Sequence, residues 1–241
     1  MTEMAPDTAQ AAFVRAHGLD TPSLCRRIVA AREGQISVRS PDVAADNLAR
    51  IIESTLRLAN RKGFAAMTLR ELARASGLSL GGLYAYIGNK DELARLIQRR
   101  IALTLGETMQ TALADLDDPR ERLARAIQAH LMITEALREW FFFLYMEAHH
   151  LAADERREAV AMERASEDIF SDIIRAGQQA GVYGDCDAAV AAGLIKAMLQ
   201  DWYLKHGKHR ERGLTLTRYA ALITHTIEPA LARPLATEND S

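Results

Sequence analysis

The residues with the most chemistry per unit length lie between Thr68 and Lys90, in TLRELARASGLSLGGLYAYIGNK. None of them forms a nucleophile, metal or phosphate-loop constellation. They offer donors instead: Arg70, Thr68, Ser79, Tyr84, Tyr86 and Lys90, beside the two bare positions Gly81 and Gly82. Side chains of these kinds hydrogen-bond phosphate oxygens and base edges, the chemistry by which a helix is held in a DNA major groove. Arg70 is the expected base reader, because a guanidinium can pair bidentately with guanine O6 and N7. Thr68 and Ser79 are expected at phosphates, and Tyr84 offers a hydroxyl near the groove wall. Lys90 is expected at a phosphate too, since a lysine in the first turn of a helix opposes the dipole and needs another partner. Tyr86 could serve either a phosphate or the core. Gly81 and Gly82 each weaken a short helix by about 1 kcal/mol relative to Ala, so two of them suggest close approach of backbone to DNA. With few side chains left to read bases, discrimination would lean on DNA shape as well.

The same stretch also dictates the elements that position these groups. Thr68-Leu69-Arg70-Glu71 has capping-box spacing, with Leu72 and Ala73 facing inward. Gly77 suits a sharp turn, and Ser79 can cap a second helix that buries Leu83 and Ile87. Asn89 then caps a third, long helix running toward residue 113, with Asp91 and Glu92 in its first turn and Leu93, Ile97, Ile101 and Leu105 four apart. Ahead of the motif, a helix from about Pro41 to Lys62 carries Leu48, Ile51, Ile52, Thr55 and Leu58 on one face. These features predict a helix–turn–helix over about 68–87 within a head spanning 43–90.

Asn47 to Ile97 resembles the TetR family of bacterial transcriptional repressors. The resemblance rests on Arg61-Lys62-Gly63-Phe64, Thr68-Leu69-Arg70-Glu71-Leu72-Ala73, Gly77-Leu78-Ser79, Leu83-Tyr84, Tyr86, Asn89-Lys90 and Leu93. It covers about a fifth of the chain, and it departs from the common pattern at Gly81 and Gly82, where bulkier polar residues are frequent. It implies a homodimer on a palindromic double-stranded operator, released when a small molecule binds the C-terminal domain. It also implies a phosphate contact for Tyr84.

Composition agrees with a helical DNA binder. The 241 residues include only 14 Gly and 6 Pro, and no alternating β-branched run is bounded by turns, so an all-α fold is expected. The net charge of −2 conceals an asymmetry. Residues 44–100 hold ten Lys/Arg against five Asp/Glu, leaving 20 against 27 elsewhere. A basic head on an acidic body fits a DNA-binding module with a separate regulatory domain. Cys25 and Cys186 lie far apart with no ligand spacing, which fits a reduced, cytoplasmic protein. The longest apolar run, Trp140 to Met146, is too short to span a bilayer. No cofactor or catalytic motif is read.

Residues 1–42 form an extension ahead of the head. Phe13 to Arg32 has the periodicity of one loosely packed helix, and Arg26, Arg27, Arg32 and Arg39 could touch phosphates or be ordinary surface arginines. Residues 91–235 form a larger helical domain for ligand binding and dimerisation, with helices at about 119–135, 136–152, 155–180, 187–206 and 214–231. Its breaks are expected at 181–185 and 206–213. Trp140 to Tyr145 holds five of the chain's fourteen aromatics, and an all-apolar helix is either core or a pocket wall. Trp140, Phe143, Met146, Glu147 and His150 are the pocket candidates, and their apolar character predicts a hydrophobic ligand. Glu147 and His150, three apart, leave a metal-responsive alternative open, and a helical enzyme with an accessory DNA-binding head is a more remote one. No metal is assigned. The last two helices carry Ala188, Val190, Ala191, Leu194, Ile195, Met198 and Leu199, then Tyr219, Leu222, Ile223 and Ile227; by the resemblance they form the dimer interface, the alternative being packing within one chain.

Overall fold

The computed structural model describes residues 8–34, 36–147 and 153–232, and among these every regular element is a helix. The helix predicted for Phe13–Arg32 is two helices, α1 (Thr8–His17) and α2 (Thr21–Ala30). Gly18 breaks them apart in the left-handed region (φ +56°). Asp20 then starts α2, its carboxylate accepting from the Ser23 N–H at 2.7 Å, with Pro22 in the first turn. Helix α3 (Pro41–Lys62) has the bounds the apolar period predicts, and it stops at Gly63 (φ +83°).

The remaining helices are α4 (Leu69–Ser76), α5 (Leu80–Tyr84), α6 (Lys90–Leu113), α7 (Pro119–Ala136) and α8 (Arg138–Glu147), then α9 (Ala153–Gln179), α10 (Ala188–Leu204), α11 (His206–Glu211) and α12 (Leu216–Leu231). Helix α11 occupies a stretch predicted to be a break. Its sequence, HGKHRE, has no apolar period. It is ordered by tertiary contact: His209 is buried and stacks on Trp202, ring centroids 5.4 Å apart, and its Nε2 meets Asp201 Oδ2 at 2.9 Å.

The chain divides into two compact units, Met1–Thr104 with Ala136–Ala159, and Leu105–Glu135 with Val160–Ser241. The first is larger than the head of 43–90 expected from the motif. Helix α2 packs on α3, α3 on α4 and α8, and α4 on α5. Leu19, Leu24, Cys25 and Ile28 are sealed from solvent, so the extension is a built part of this unit rather than a loose appendage. Burial pushes the Cys25 thiol up to about 12, which leaves it a packing group rather than a nucleophile. Glu33, just past α2, meets Arg100 of α6 at 3.3 Å with both side chains nearly enclosed. Trp140 on α8 donates its indole N–H to Thr21 Oγ1 at 3.0 Å.

In the second unit, Asp118 opens α7 by accepting from the Arg120 N–H at 2.7 Å, and Asp187 opens α10 by accepting from Ala189 and Val190. Trp202 on α10 donates to Glu135 at 2.8 Å, and Tyr219 on α12 donates to the Met198 carbonyl at 2.8 Å. On α10, Val190 and Leu194 are each 60% exposed, and nothing lies within 4 Å of where a Cβ on Gly193 would stand. Leu222 on α12 is also exposed. No helix among the described residues is long and apolar enough to cross a membrane.

Candidate nucleic-acid interface

Helix α4 begins with a complete capping box. Thr68 Oγ1 accepts from the Glu71 N–H at 3.2 Å, and Glu71 accepts from the Thr68 N–H at 3.0 Å. The Thr68 hydroxyl donates in turn to Glu71 Oε2 at 2.8 Å, and Lys62 reaches the same oxygen at 2.6 Å. The Lys62 ammonium, followed by the Thr68 hydrogen bonds, holds the Glu71 carboxyl down at about 2. Gly77 ends the helix in the left-handed region (φ +71°), and the Arg50 guanidinium closes over that end. Its Nε and Nη2 donate to the Ser76 carbonyl at 2.9 and 2.5 Å, and a Cβ at Gly77 would stand 2.6 Å from Nη2. Arg50 therefore joins α3 to the turn, a role that motif spacing alone does not reveal.

Helix α5 starts at Ser79, whose Oγ accepts from the Gly82 N–H at 3.0 Å. The two glycines are not equivalent. A Cβ on Gly82 would crowd Ser79 Oγ at 3.1 Å, so Gly82 helps preserve the cap. Gly81 has nothing within 4 Å, so packing gives no reason for its bareness. Tyr84 is 51% exposed, whereas Tyr86 is 3% exposed and its hydroxyl accepts from Asn47 Nδ2 at 2.9 Å. Arg70 is exposed on α4. The Ser37 N–H donates to the Ala85 carbonyl at 3.0 Å, which lays the segment after α2 against the end of α5.

Lys90 has a different setting from the phosphate contact expected of it. Its Nζ donates to the carbonyls of Phe64, Ala65 and Met67 at 3.1, 2.9 and 2.9 Å, and it lies 5.3 Å from the Phe64 ring centroid. An ammonium has three donors, and all three are engaged. Lys90 thus gathers the α3–α4 turn onto the start of α6. Next to it, Asn89 Oδ1 accepts from the Glu92 N–H at 2.8 Å, as expected of a cap. Tyr86 is likewise occupied internally, while the exposed Thr68 hydroxyl bonds Glu71 at the surface. Among the expected contacts, Thr68, Arg70, Ser79, Gly81 and Tyr84 are exposed.

The expected pocket residues are also put to another use. The Phe143 ring stands edge-on to Phe64 at 5.2 Å, and Glu147 Oε1 accepts from the Phe64 N–H at 3.3 Å. With Trp140 on Thr21, three of the five pack inside the first unit because α8 lies on α3. Met146 is half exposed, and His150 lies outside the described residues. Among the described residues no three His, Cys, Asp or Glu side chains are grouped to hold a metal ion.

The geometry of α4, the Gly77 turn and α5 is that of a helix–turn–helix, and comparison with known proteins agrees. A family model described as "Bacterial regulatory proteins, tetR family" matches residues 51–97. A second, "Tetracyclin repressor-like, C-terminal domain", matches 116–227. The HTH-type transcriptional regulator HbdR of Aromatoleum sp. (strain CIB) is 25% identical over 169 residues, 70% of this chain and 74% of that protein. An uncharacterised HTH-type regulator of Mycobacterium tuberculosis (strain CDC 1551 / Oshkosh) is 31% identical over 109 residues, and there the chain spans about half of the relative (52%) and 44% of its own length. Among solved structures, the TetR family regulator PfmR from Thermus thermophilus aligns with a TM-score of 0.62 at 26% identity, over 78% of this chain and all of that one. AibR, solved with isovaleryl coenzyme A and operator DNA, aligns at 0.63 and 22% identity, over 78% of this chain and all of that one. With helix–turn–helix geometry in the first unit and a family match in each, this chain belongs to the TetR family of transcriptional regulators.

Proposed function

We propose that this protein is a repressor that occupies a palindromic operator as a homodimer and leaves it when a small molecule binds the C-terminal unit. The observation that carries the reading is the outward set on α4 and α5: Arg70, the Ser79 hydroxyl, Tyr84, and the Gly81 backbone with open space before it. Arg70 reads a base edge, Ser79 and Tyr84 hold phosphates, and Gly81 lets the main chain come close. Gly82, Tyr86 and Lys90 hold that surface in shape from behind, and the exposed Thr68 caps α4.

Dimerisation is supported by Val190, Leu194 and Leu222, large apolar side chains left exposed on α10 and α12 beside the bare Gly193. A two-fold pair would present two α5 helices to successive major grooves, about 34–36 Å apart. Response to a small molecule is supported by the family and by what AibR was solved with. Helix α6 is the candidate transmitter, since its residues are shared between the two units. A ligand would shift the dimer away from DNA only to the extent that it binds the released state more tightly.

Selection from random duplex DNA, followed by fluorescence anisotropy at fixed salt, tests the reading. A two-fold symmetric site with submicromolar affinity is expected, lost on Arg70→Ala combined with Tyr84→Phe. Enrichment of no sequence, or equal binding by that double variant, overturns it.

A further inference from the structure

Two basic side chains are sealed inside the C-terminal unit, and they touch. Lys196 on α10 is 6% exposed, His130 on α7 is 1% exposed, and Nζ lies 3.1 Å from Nε2. An ammonium only donates, so Nε2 must be the acceptor, and His130 is the neutral tautomer with its proton on Nδ1. Burial, and then the Lys196 charge, hold the imidazole well below its ordinary pKa, which keeps it neutral.

The contact uses one of the three Lys196 donors. Among the described residues no carboxylate stands within ion-pairing distance of Nζ. Glu163 and Glu167 on α9 act on it from farther away, and Glu163 already accepts from Gln200 at 3.0 Å. The helix faces that carry the pair are buried and mostly apolar: Ile127 and Ile133 with Thr134 on α7, the Thr134 hydroxyl donating to the Leu131 carbonyl, and Ala192 and Leu199 on α10, while the Phe170 ring on α9 lies 6.1 Å from His130. A buried cation with a single neutral partner is costly, and interiors normally pair such a charge. Something with acceptor oxygens is therefore wanted at Nζ.

We infer that Lys196, oriented by His130, anchors the acidic head group of the effector, a small molecule with a carboxylate at one end and an apolar body. This rests on the reading of the C-terminal unit as the effector-binding part, and it narrows the hydrophobic ligand expected from sequence. A carboxylate brings two oxygens to the two remaining donors, in surroundings where charge-assisted bonds are strong. A quaternary ammonium would meet like charge. A neutral amide would leave most of the lysine charge unanswered.

Calorimetric titration of the full chain without DNA tests the anchor. The probes are straight-chain alkanoates of four to ten carbons, the matching alkanamides, and the matching alkyltrimethylammonium ions. At the best chain length the carboxylate should bind about tenfold tighter than its amide, and the cation should not bind. Lys196→Met should erase that preference and Lys196→Arg should retain it. Equal binding of carboxylate and amide by the wild-type chain at every length overturns the anchor, as does a preference that survives Lys196→Met. Should the Met variant fold poorly, NMR of labelled lysine in the wild type decides: the Lys196 signal should move with carboxylate and stay with amide, and the reverse overturns it. Operator affinity measured in the same samples separates the two readings. Carboxylate binding without operator release refutes the release mechanism alone, and release by a compound with no carboxylate preference refutes the anchor alone.

Discussion

Lys90 and Phe64 meet twice: the ammonium donates to the Phe64 carbonyl at 3.1 Å and lies 5.3 Å from the centre of its ring. With the Ala65 and Met67 carbonyls, this makes one side chain of α6 responsible for the turn that leads into α4. Lys90→Met leaves the Ala65 and Met67 carbonyls short of a donor, the Phe64 carbonyl keeping the Met67 N–H at 3.1 Å, and should cost about 2 kcal/mol of stability. Urea unfolding checks this against operator affinity. A variant of unchanged stability that no longer binds DNA would return Lys90 to the phosphate role.

The turn glycines should respond in opposite directions. Gly77→Ala faces a positive φ and the Arg50 guanidinium, and it should destabilise by about 1–2 kcal/mol. Gly81→Ala meets open space and should be neutral or stabilising by up to about 1 kcal/mol. On the proposed interface, which brings the Gly81 backbone close to DNA, the same methyl should weaken operator binding. Thermal melts paired with anisotropy separate the two effects.

The tyrosines split the same way. Tyr84→Phe should change stability by less than about 0.5 kcal/mol and weaken binding to every DNA sequence alike. Tyr86→Phe loses the Asn47 hydrogen bond and should cost about 1 kcal/mol in unfolding experiments.

Leu24→Ala tests whether the extension belongs to the first unit. The side chain is fully buried, so its loss should cost about 2–5 kcal/mol. A loose appendage would give almost no change in the melt.

Lys196 gives a pH signature. Burial, opposed by Glu163 and Glu167, brings its pKa from 10.5 down to about 8. Below about 8 both folded and unfolded chains hold the proton, and the full penalty of the buried charge is present. Between about 8 and 10.5 the unfolded chain binds more protons, so stability rises with pH. Lys196→Met should therefore stabilise the free protein by about 3 kcal/mol near neutrality, and the gain should fade by the top of that window. Chemical unfolding across the range checks both parts.

Much of the head was legible in the chain because its signals are local. Thr68 with Glu71, Gly77, Ser79 and Asn89 act over three or four residues, through caps and a positive φ that sequence spacing encodes. The apolar period placed α3 and the long α6 for the same reason. Tertiary contact decided the rest. Lys90 and Tyr86 look like DNA contacts until Phe64, Ala65, Met67 and Asn47 fold over to meet them. An aromatic run at Trp140–Tyr145 announces burial but not its partner, and packing gave Trp140 to Thr21 and Phe143 to Phe64. Lys196 and His130 stand 66 residues apart. No period or spacing brings them together; only the packing of α7 and α10 does. The sequence by itself determined the helix–turn–helix and the long helices beside it, but not the split of α1 from α2 or the short α11. Which polar groups stay free to act was set by the tertiary structure, because a donor's availability depends on acceptors that are distant along the chain.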